Sequence, residues 1–249
     1  MNNYDLENLS TRAPESLSKE DTKSKTKTYI EELEELQNVL YAESKHSLLI
    51  ILQGMDASGK DGAVKKVFSA VNPQGIEVKS FKAPTSKELA HDFLWRIHQH
   101  TPPQGKIQIF NRSHYEDVLV TRVLGLTDDE TASQRFGIIN SFERLLQERG
   151  TQVLKFYLHI SEAEQRERFQ ERLNNPRKHW KYNPNDLKSA KDWPLYRQYY
   201  KEVFEKCSSD IPWTIIPSDQ NWYKEFVLAE AIVKCLRGLD MKYPGLELE

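Results

Sequence analysis

Residues 48 to 52 form an unbroken Leu-Leu-Ile-Ile-Leu run, and the chain passes from it directly into Gly54-Met-Asp-Ala-Ser-Gly-Lys-Asp-Gly62. So short an apolar run with no alternation reads as a strand buried on both faces, which is the signature of a parallel sheet. The glycine-bracketed loop behind it, Gly54, four residues, Gly59 and Lys60, has the spacing of a phosphate cradle. In such a loop, backbone N–H groups wrap an anion and the lysine ammonium reaches its terminal oxygens. Gly54, Ala57, Ser58, Gly59, Lys60 and Asp61 are therefore candidate phosphate-binding residues. Two positions depart from the usual pattern. Asp61 stands where a magnesium-ligating Ser or Thr is expected, and Asp56 places a carboxylate inside the loop. A carboxylate beside phosphate is tolerable when a divalent cation stands between them, so Asp56 reads as a metal ligand or as a group that activates the acceptor.

The rest of the chain alternates strands with helices. A capping sequence at Ser18, with Asp21 three residues on, opens a helix whose apolar face is Tyr29, Leu33, Leu36 and Leu40. Residues 1–17 are expected to wander over the surface. After the strand at 47–53, the pattern predicts a helix burying Val64, Val67, Phe68 and Val71, then a strand at 76–81. Next come a helix from a Ser86 cap to about His100 that buries Leu89, Phe93, Leu94 and Ile97, and a strand at 106–110. A long helix from Thr127 or Asp128 to Gly150, carrying Phe136, Ile139, Phe142, Leu145 and Leu146, precedes a strand at 152–160. A charged helix after Ser161, a strand at 213–216 and a helix at 226–236 complete the pattern. Alternation of this kind implies an α/β fold of three layers, with a five-stranded parallel sheet and right-handed crossovers. The expected division is an N-terminal helical extension at 1–45, a core at 46–240 that includes a lid at 166–193, and a tail at 241–249.

Composition narrows the partners. With 35 basic and 37 acidic residues, a formal net charge of −2 gives no global basic field for nucleic acid. Cys207 and Cys235 are too few for a disulfide framework and suit a reducing cytoplasm. No apolar run is long enough to span a bilayer, and the N-terminus lacks a basic-then-apolar signal, so a soluble cytoplasmic protein is expected.

Ligands of parallel sheets gather at the carboxyl ends of the strands. Three of those ends are polar here: Asp56 and Lys60, then Lys82, Pro84 and Thr85, then Asn111, Arg112 and Asp117. Phosphoryl transfer needs positioning and cations rather than covalent help from the protein. Arg112 at a helix start, where the macrodipole disfavours a cation, points to a phosphate partner. Asp117 is expected to meet Asp56 across the loop and share magnesium, the plainer alternative being a salt bridge within its own helix to Arg122. Arg122 also joins the candidate phosphate-binding set. A basic run, Arg166, Arg168, Arg172, Arg177, Lys178 and Lys181, precedes an aperiodic segment from Asn174 to Trp193 and is read as a phosphate-closing lid. Trp180 and Tyr182 either sandwich a base or anchor the lid. His91, His98 and His100 are read as ordinary polar residues, and no role is assigned to His114.

Gly-Met-Asp-Ala-Ser-Gly-Lys-Asp-Gly at 54–62, Phe-Lys-Ala-Pro-Thr at 81–85 and Phe-Asn-Arg-Ser-His-Tyr-Glu-Asp-Val-Leu at 110–119 together resemble the family-2 polyphosphate kinases. The segment Asn-Asn-Pro-Arg-Lys-His-Trp-Lys resembles that family's lid. The resemblance runs from about residue 20 to 240 and implies a thymidylate-kinase-like P-loop fold in a single-domain member. It implies Mg²⁺-dependent transfer (Mn²⁺ as a substitute) of phosphate between inorganic polyphosphate and ADP or AMP, with GDP and GMP as further acceptors. Carried over by position, Asp56 and Asp117 would hold metal and activate the acceptor. Lys60 and Arg112 would bind phosphates at the transfer point, and the basic lid would guide the polyanion. It also implies a homo-oligomer, dimer or tetramer, and the N-terminal helix is expected either to pack on its own domain or to pair with another subunit. The competing readings are an ATP-dependent nucleoside or nucleotide kinase, disfavoured by Asp61, and a GTPase-like switch, disfavoured by the lack of an Asn-Lys-x-Asp guanine reader.

Overall fold

The computed structural model describes residues 4–181 and 192–246. Five strands, β1 (Ser47–Gln53), β2 (Ile76–Ser80), β3 (Ile107–Asn111), β4 (Thr151–His159) and β5 (Trp213–Pro217), form one sheet in the order β2-β3-β1-β4-β5. Every pairing is parallel, with Leu48 opposite Ile107 on one side of β1 and Gln152 on the other. The central strand β1 is buried along its whole length, as its unbroken aliphatic run requires. Nine helices accompany the sheet among the described residues: α1 (Lys19–Glu43), α2 (Lys60–Val67), α3 (Ser86–Leu89), α4 (Trp95–His98), α5 (Val120–Val123), α6 (Asp129–Glu148), α7 (Glu162–Asn174), α8 (Trp193–Lys206) and α9 (Asn221–Arg237).

Side chains alternate across a strand, so β1 feeds two cores. Leu49 and Ile51 join Phe136, Ile139 and Phe142 of α6 and Tyr200, Val203 and Phe204 of α8 on one face. Leu48, Ile50 and Leu52 meet Leu33 and Leu40 of α1, Ala63 and Val67 of α2, and Leu228, Ile232 and Leu236 of α9 on the other. The result is the expected three-layer α/β/α arrangement, with every strand's carboxyl end at the same edge. Among the described residues no helix is long and apolar enough to cross a membrane.

Ser18 caps α1 by accepting the Asp21 N–H. The helix packs along α9 of its own domain, where Tyr29 donates to Glu230 at 3.0 Å and Arg237 pairs with Glu32 at 2.5 Å.

Four local expectations are corrected. The helix expected from Ser86 to about His100 is two single turns, α3 and α4. Thr85, not Ser86, is the cap, in a capping box with Glu88, and the Asp92 carboxylate then accepts the Leu94 N–H at 2.9 Å, a local turn that competes with helix propagation. Leu89, expected inside, is consequently 69% exposed. Leu145 is also on the outer face of its helix, at 48% exposure. The start of the chain does not wander: Leu6 is buried, Tyr4 packs on Phe204, and Thr11 bonds Asp219 through both side chain and backbone. The last helix begins at Asn221, a turn and a half before the expected Phe226.

Candidate active site

Residues 54–59 turn sharply between β1 and α2, and the loop is shaped from within. A Cβ on Gly54 would lie 2.8 Å from the Leu158 carbonyl oxygen, and one on Gly59, whose φ is +89°, would lie 2.3 Å from Lys224 Nζ. Ala57 holds the left-handed conformation at φ 63°, and so does Arg112 at the end of β3. Left-handed backbone at residues with a Cβ costs about 1–3 kcal/mol each and persists where the surroundings impose it.

Lys60 opens α2 and is buried. Its ammonium donates to the carbonyls of Gly54 at 2.7 Å and Met55 at 3.2 Å and to Ser58 Oγ at 3.4 Å. No carboxylate among the described residues forms an ion pair with it. Burial, and then the neighbouring Arg112 charge, pull its pKa down to about 8. Arg112 projects across the mouth of the loop, donating to Asp56 Oδ1 at 2.5 Å and to Glu116 Oε2 at 3.1 Å. Glu116 first, and Asp56 after burial is counted, hold its guanidinium firmly protonated.

The turn that carries Arg112, Glu116 and Asp117 is anchored from beneath. Lys155 of β4 donates to Glu143 Oε2 of α6 at 2.7 Å, to Tyr115 Oη at 3.0 Å and to the Cys207 carbonyl at 2.6 Å. Glu143 Oε1 accepts from Tyr115 at 2.8 Å and meets His114 Nε2 at 3.2 Å. Burial opposes ionisation of Glu143, yet the His114 hydrogen bond and the Lys155 charge hold its carboxyl below the ordinary range. His114, left without a role by the sequence, is thus a peg that fixes the turn.

A cleft of ≈ 410 Å³ opens at the strand ends. Its walls include loop residues Asp56 to Gly62, Lys82 after β2, Asn111 and Arg112 after β3, and Arg172, Trp180 and Lys181 from the segment after β4. The structure therefore brings together Asp56, Ala57, Ser58, Gly59, Lys60, Asp61, Lys82, Arg112, Arg172 and Lys181. Gly54 borders the same region beside Arg112, Glu116 and Tyr200.

Other candidates are placed differently. Arg122 is held inside by Asp129 at 2.7 Å and Glu202 at 2.5 Å and lies over the Tyr199 ring, so it pairs with neither Asp117 nor the cleft. Arg166 pairs with Glu162, and Lys178 with Glu171 at 2.5 Å, on the outer side of the basic run. Arg177 donates its backbone N–H to Asn175 Oδ1 at 3.0 Å. Arg168 points inward instead of toward a lid: it donates to the carbonyls of Ala57 at 2.8 Å, Ser218 at 2.9 Å and Asp219 at 3.0 Å, and pairs with Glu164. Lys181 crosses to Asp61 at 3.4 Å and lies over the Trp180 ring. Asp61 also accepts from Asn111 at 2.7 Å. Partial burial works against its charge, but Asn111 and Lys181 keep its carboxyl below the usual range. Tyr182 and the rest of 182–191 lie outside the described residues.

Asp56 and Asp117 face different arginines. Asp117 lies 3.6 Å from Arg96 Nη2, and burial raises its pKa. Its Oδ2 is buried and accepts no hydrogen bond. Among the described residues no group of three or more His, Cys, Asp or Glu is arranged to hold a metal ion. The expected meeting of Asp56 and Asp117 across the loop is thus not seen, because each carboxylate is turned to its own arginine; each is a hard oxygen donor of the kind that suits magnesium, which completes its shell with phosphate oxygens and water.

Three residues at the site escaped the sequence reading. Glu116 shares Arg112 with Asp56. Arg96 tethers the Lys82 carbonyl at 2.8 Å beside Asp117. Lys224 reaches under the loop from α9; its signal was its place on the stripe Lys224, Leu228, Ile232, Leu236, a charge at an apolar position.

The comparisons agree with this geometry. Residues 16–244 match the family described as Polyphosphate kinase 2. An AMP/ADP-polyphosphate phosphotransferase of Meiothermus ruber is 49% identical over 216 residues, 86% of this chain and 81% of that protein. An ADP-polyphosphate phosphotransferase of Rhodopseudomonas palustris is 39% identical over 91% of this chain and 83% of its own length. The crystal structure of polyphosphate kinase 2 from Arthrobacter aurescens TC1 superposes with a TM-score of 0.96 at 38% identity, covering 99% of this chain and 90% of that one. The P-loop, the cations gathered from three strand ends and the match over nearly the whole chain have one common reading: the chain belongs to the polyphosphate kinase 2 family.

Proposed function

We propose that the protein is a polyphosphate-dependent nucleotide kinase that transfers the terminal phosphate of inorganic polyphosphate to AMP or ADP, reversibly and with Mg²⁺. The observation that carries this reading is the convergence of Lys60, Lys82, Arg112, Arg172 and Lys181 on one cleft floored by the glycine loop. Two polyanions meet in this reaction, and a chain of net charge −2 attracts them only through such a local concentration of cations. Lys60 and Arg112 bind phosphate oxygens where transfer occurs. Arg112 keeps its proton throughout and is aimed by Asp56 and Glu116, so its geometry is set before substrate arrives. Asp56 and Asp117 would hold the magnesium ion, which would offset phosphate charge and orient the acceptor. Lys82 and Arg172 extend the cationic track along which the polyanion lies.

The test is a coupled assay with long-chain polyphosphate, magnesium and, separately, AMP, ADP, GMP and GDP. ATP or ADP formation from the adenine acceptors is expected, and Asp117→Asn abolishes it. No product from any acceptor, with ATP turned over onto a nucleoside instead, establishes the ATP-dependent alternative.

A further inference from the structure

Beneath the phosphate loop, on the side away from the cleft, lies a second lysine. Lys224 is 1% exposed, and its ammonium donates to the Ser58 carbonyl at 3.2 Å and to Asn221 Oδ1 at 2.8 Å. Among the described residues no carboxylate forms an ion pair with it. Arg168 and Lys60 repel it, while Glu225 and Glu164 attract it without reaching ion-pair distance. A buried cation with only neutral acceptors is costly to the fold, and a side chain of that kind calls for a counter-charge supplied by something else.

We propose that Lys224 is a positioning residue of the phosphate cradle: it holds the Ser58–Gly59 peptide from behind and leaves its charge to be balanced by the phosphate bound in front. The inference rests on the reading of the cleft as a phosphate site. The carbonyl of Ser58 and the N–H of Gly59 belong to one trans peptide and point opposite ways. Drawing that carbonyl toward Lys224 turns the Gly59 N–H toward the cleft that Gly59 lines. Arg168 does the same for the Ala57 carbonyl, but its charge is balanced by Glu164. Lys224 also fills the space where a Cβ on residue 59 would sit, at 2.3 Å, so the lysine and the glycine are a matched pair. Burial, and then Arg168, depress the Lys224 pKa to about 7, in keeping with a cation short of counter-charge.

Lys224→Met keeps the apolar stem and removes the charge; Lys224→Gln keeps a donor and serves if the Met variant does not fold. Binding of inorganic tripolyphosphate at pH 6.5 is measured by calorimetry, and the Tm is measured without ligand. The expected result is affinity weakened about tenfold, the scale of one charge-assisted contact, together with an unchanged or higher ligand-free Tm. That opposition is the signature, because a merely structural lysine lowers the Tm on removal. Wild-type affinity in either folded variant overturns the inference, and so does weaker binding accompanied by a lower Tm. A wild-type protein that neither binds tripolyphosphate nor transfers phosphate overturns the reading of the cleft itself, and this inference with it; intact binding and transfer in a charge-free variant overturns this inference alone.

Discussion

Two buried lysines in this molecule are treated in opposite ways. Lys155, under the turn that bears Arg112 and Asp117, has a carboxylate at 2.7 Å, a tyrosine and a backbone carbonyl, a closed set of partners. Lys224, under the phosphate loop, has a carbonyl and an amide oxygen and no carboxylate ion pair among the described residues. Lys60 on the cleft side is likewise held only by carbonyls and a hydroxyl. The first arrangement serves the fold, since all its charge is cancelled internally. The second holds positive charge in reserve at the one place where an anion must be attracted. Among these buried lysines, charge balance thus separates scaffold from site more sharply than burial does.

The largest expected effect comes from breaking the closed set. Glu143→Gln strands Lys155 in the core and is expected to destabilise the protein by about 3–5 kcal/mol in denaturant unfolding. Glu143→Met combined with Lys155→Met recovers most of that loss, because the pair is removed together. A Glu143→Gln protein of normal stability would show that Lys155 is not charged, and the contrast with Lys224 would collapse.

Lys60→Met probes the other side. Transfer is expected to fall by about 10²–10³, the scale of one preorganised cation at a transition state, while ligand-free stability is unchanged or raised. Parallel losses of stability and rate would place Lys60 with Lys155, as scaffold.

The pH profile sharpens the comparison by a smaller margin. Lys60 and Lys224 have folded pKa values of about 8 and about 7, below the ordinary 10.5, so from pH 7 upward the unfolded chain binds more protons than the folded one. Stability of the ligand-free protein is therefore expected to rise with pH above 7. The rise levels off from about pH 9, where the unfolded thiols of Cys207 and Cys235 ionise while the folded ones, pushed up to about 12 and about 11 by burial, do not. Lys224→Met removes the earliest part of the climb. Glu143 acts in the same sense on the acid limb: its lowered pKa contributes stability that is lost as pH falls through the folded value.

These contrasts were only partly legible in the sequence. The strands were, because Leu48–Leu52 and its counterparts are short unbroken or alternating runs bounded by glycine, proline or polar turn residues. Asp56, Lys60 and Arg112 were, because each follows a strand directly and the topology of a parallel sheet brings such positions together. Arg168 reads as part of a lid because spacing shows which residues share a face but not which way that face looks. Its partners, Ala57 and Ser218, are far away in sequence. Lys224 is hidden because the apolar run of the last helix shows its first aromatic only at Phe226, which leaves the preceding turn outside the expected element. The break at Asp92 was hidden because an aspartate's side-chain turn competes with a helix by a narrow margin that local composition does not decide.

The smallest expected effect concerns Asp61, the carboxylate that stands where a hydroxyl ligand to magnesium is usual. Its side chain is 64% exposed, it meets Lys181 at 3.4 Å, and it accepts from Asn111, a bond that asparagine can also make. An ion pair this exposed contributes about 0–1 kcal/mol. Asp61→Asn is therefore expected to shift the Tm by less than about 4 °C and the transfer rate by less than about fivefold. Its charge is balanced by Lys181 across the cleft, so on the criterion drawn from Lys155 and Lys224 it belongs to the tethering of the 176–181 turn and not to the chemistry. A hundredfold loss of rate at unchanged stability, relieved by raising the magnesium concentration, would make Asp61 a metal ligand. The ion would then sit at α2 rather than between Asp56 and Asp117, and local charge balance would have failed as a guide to function.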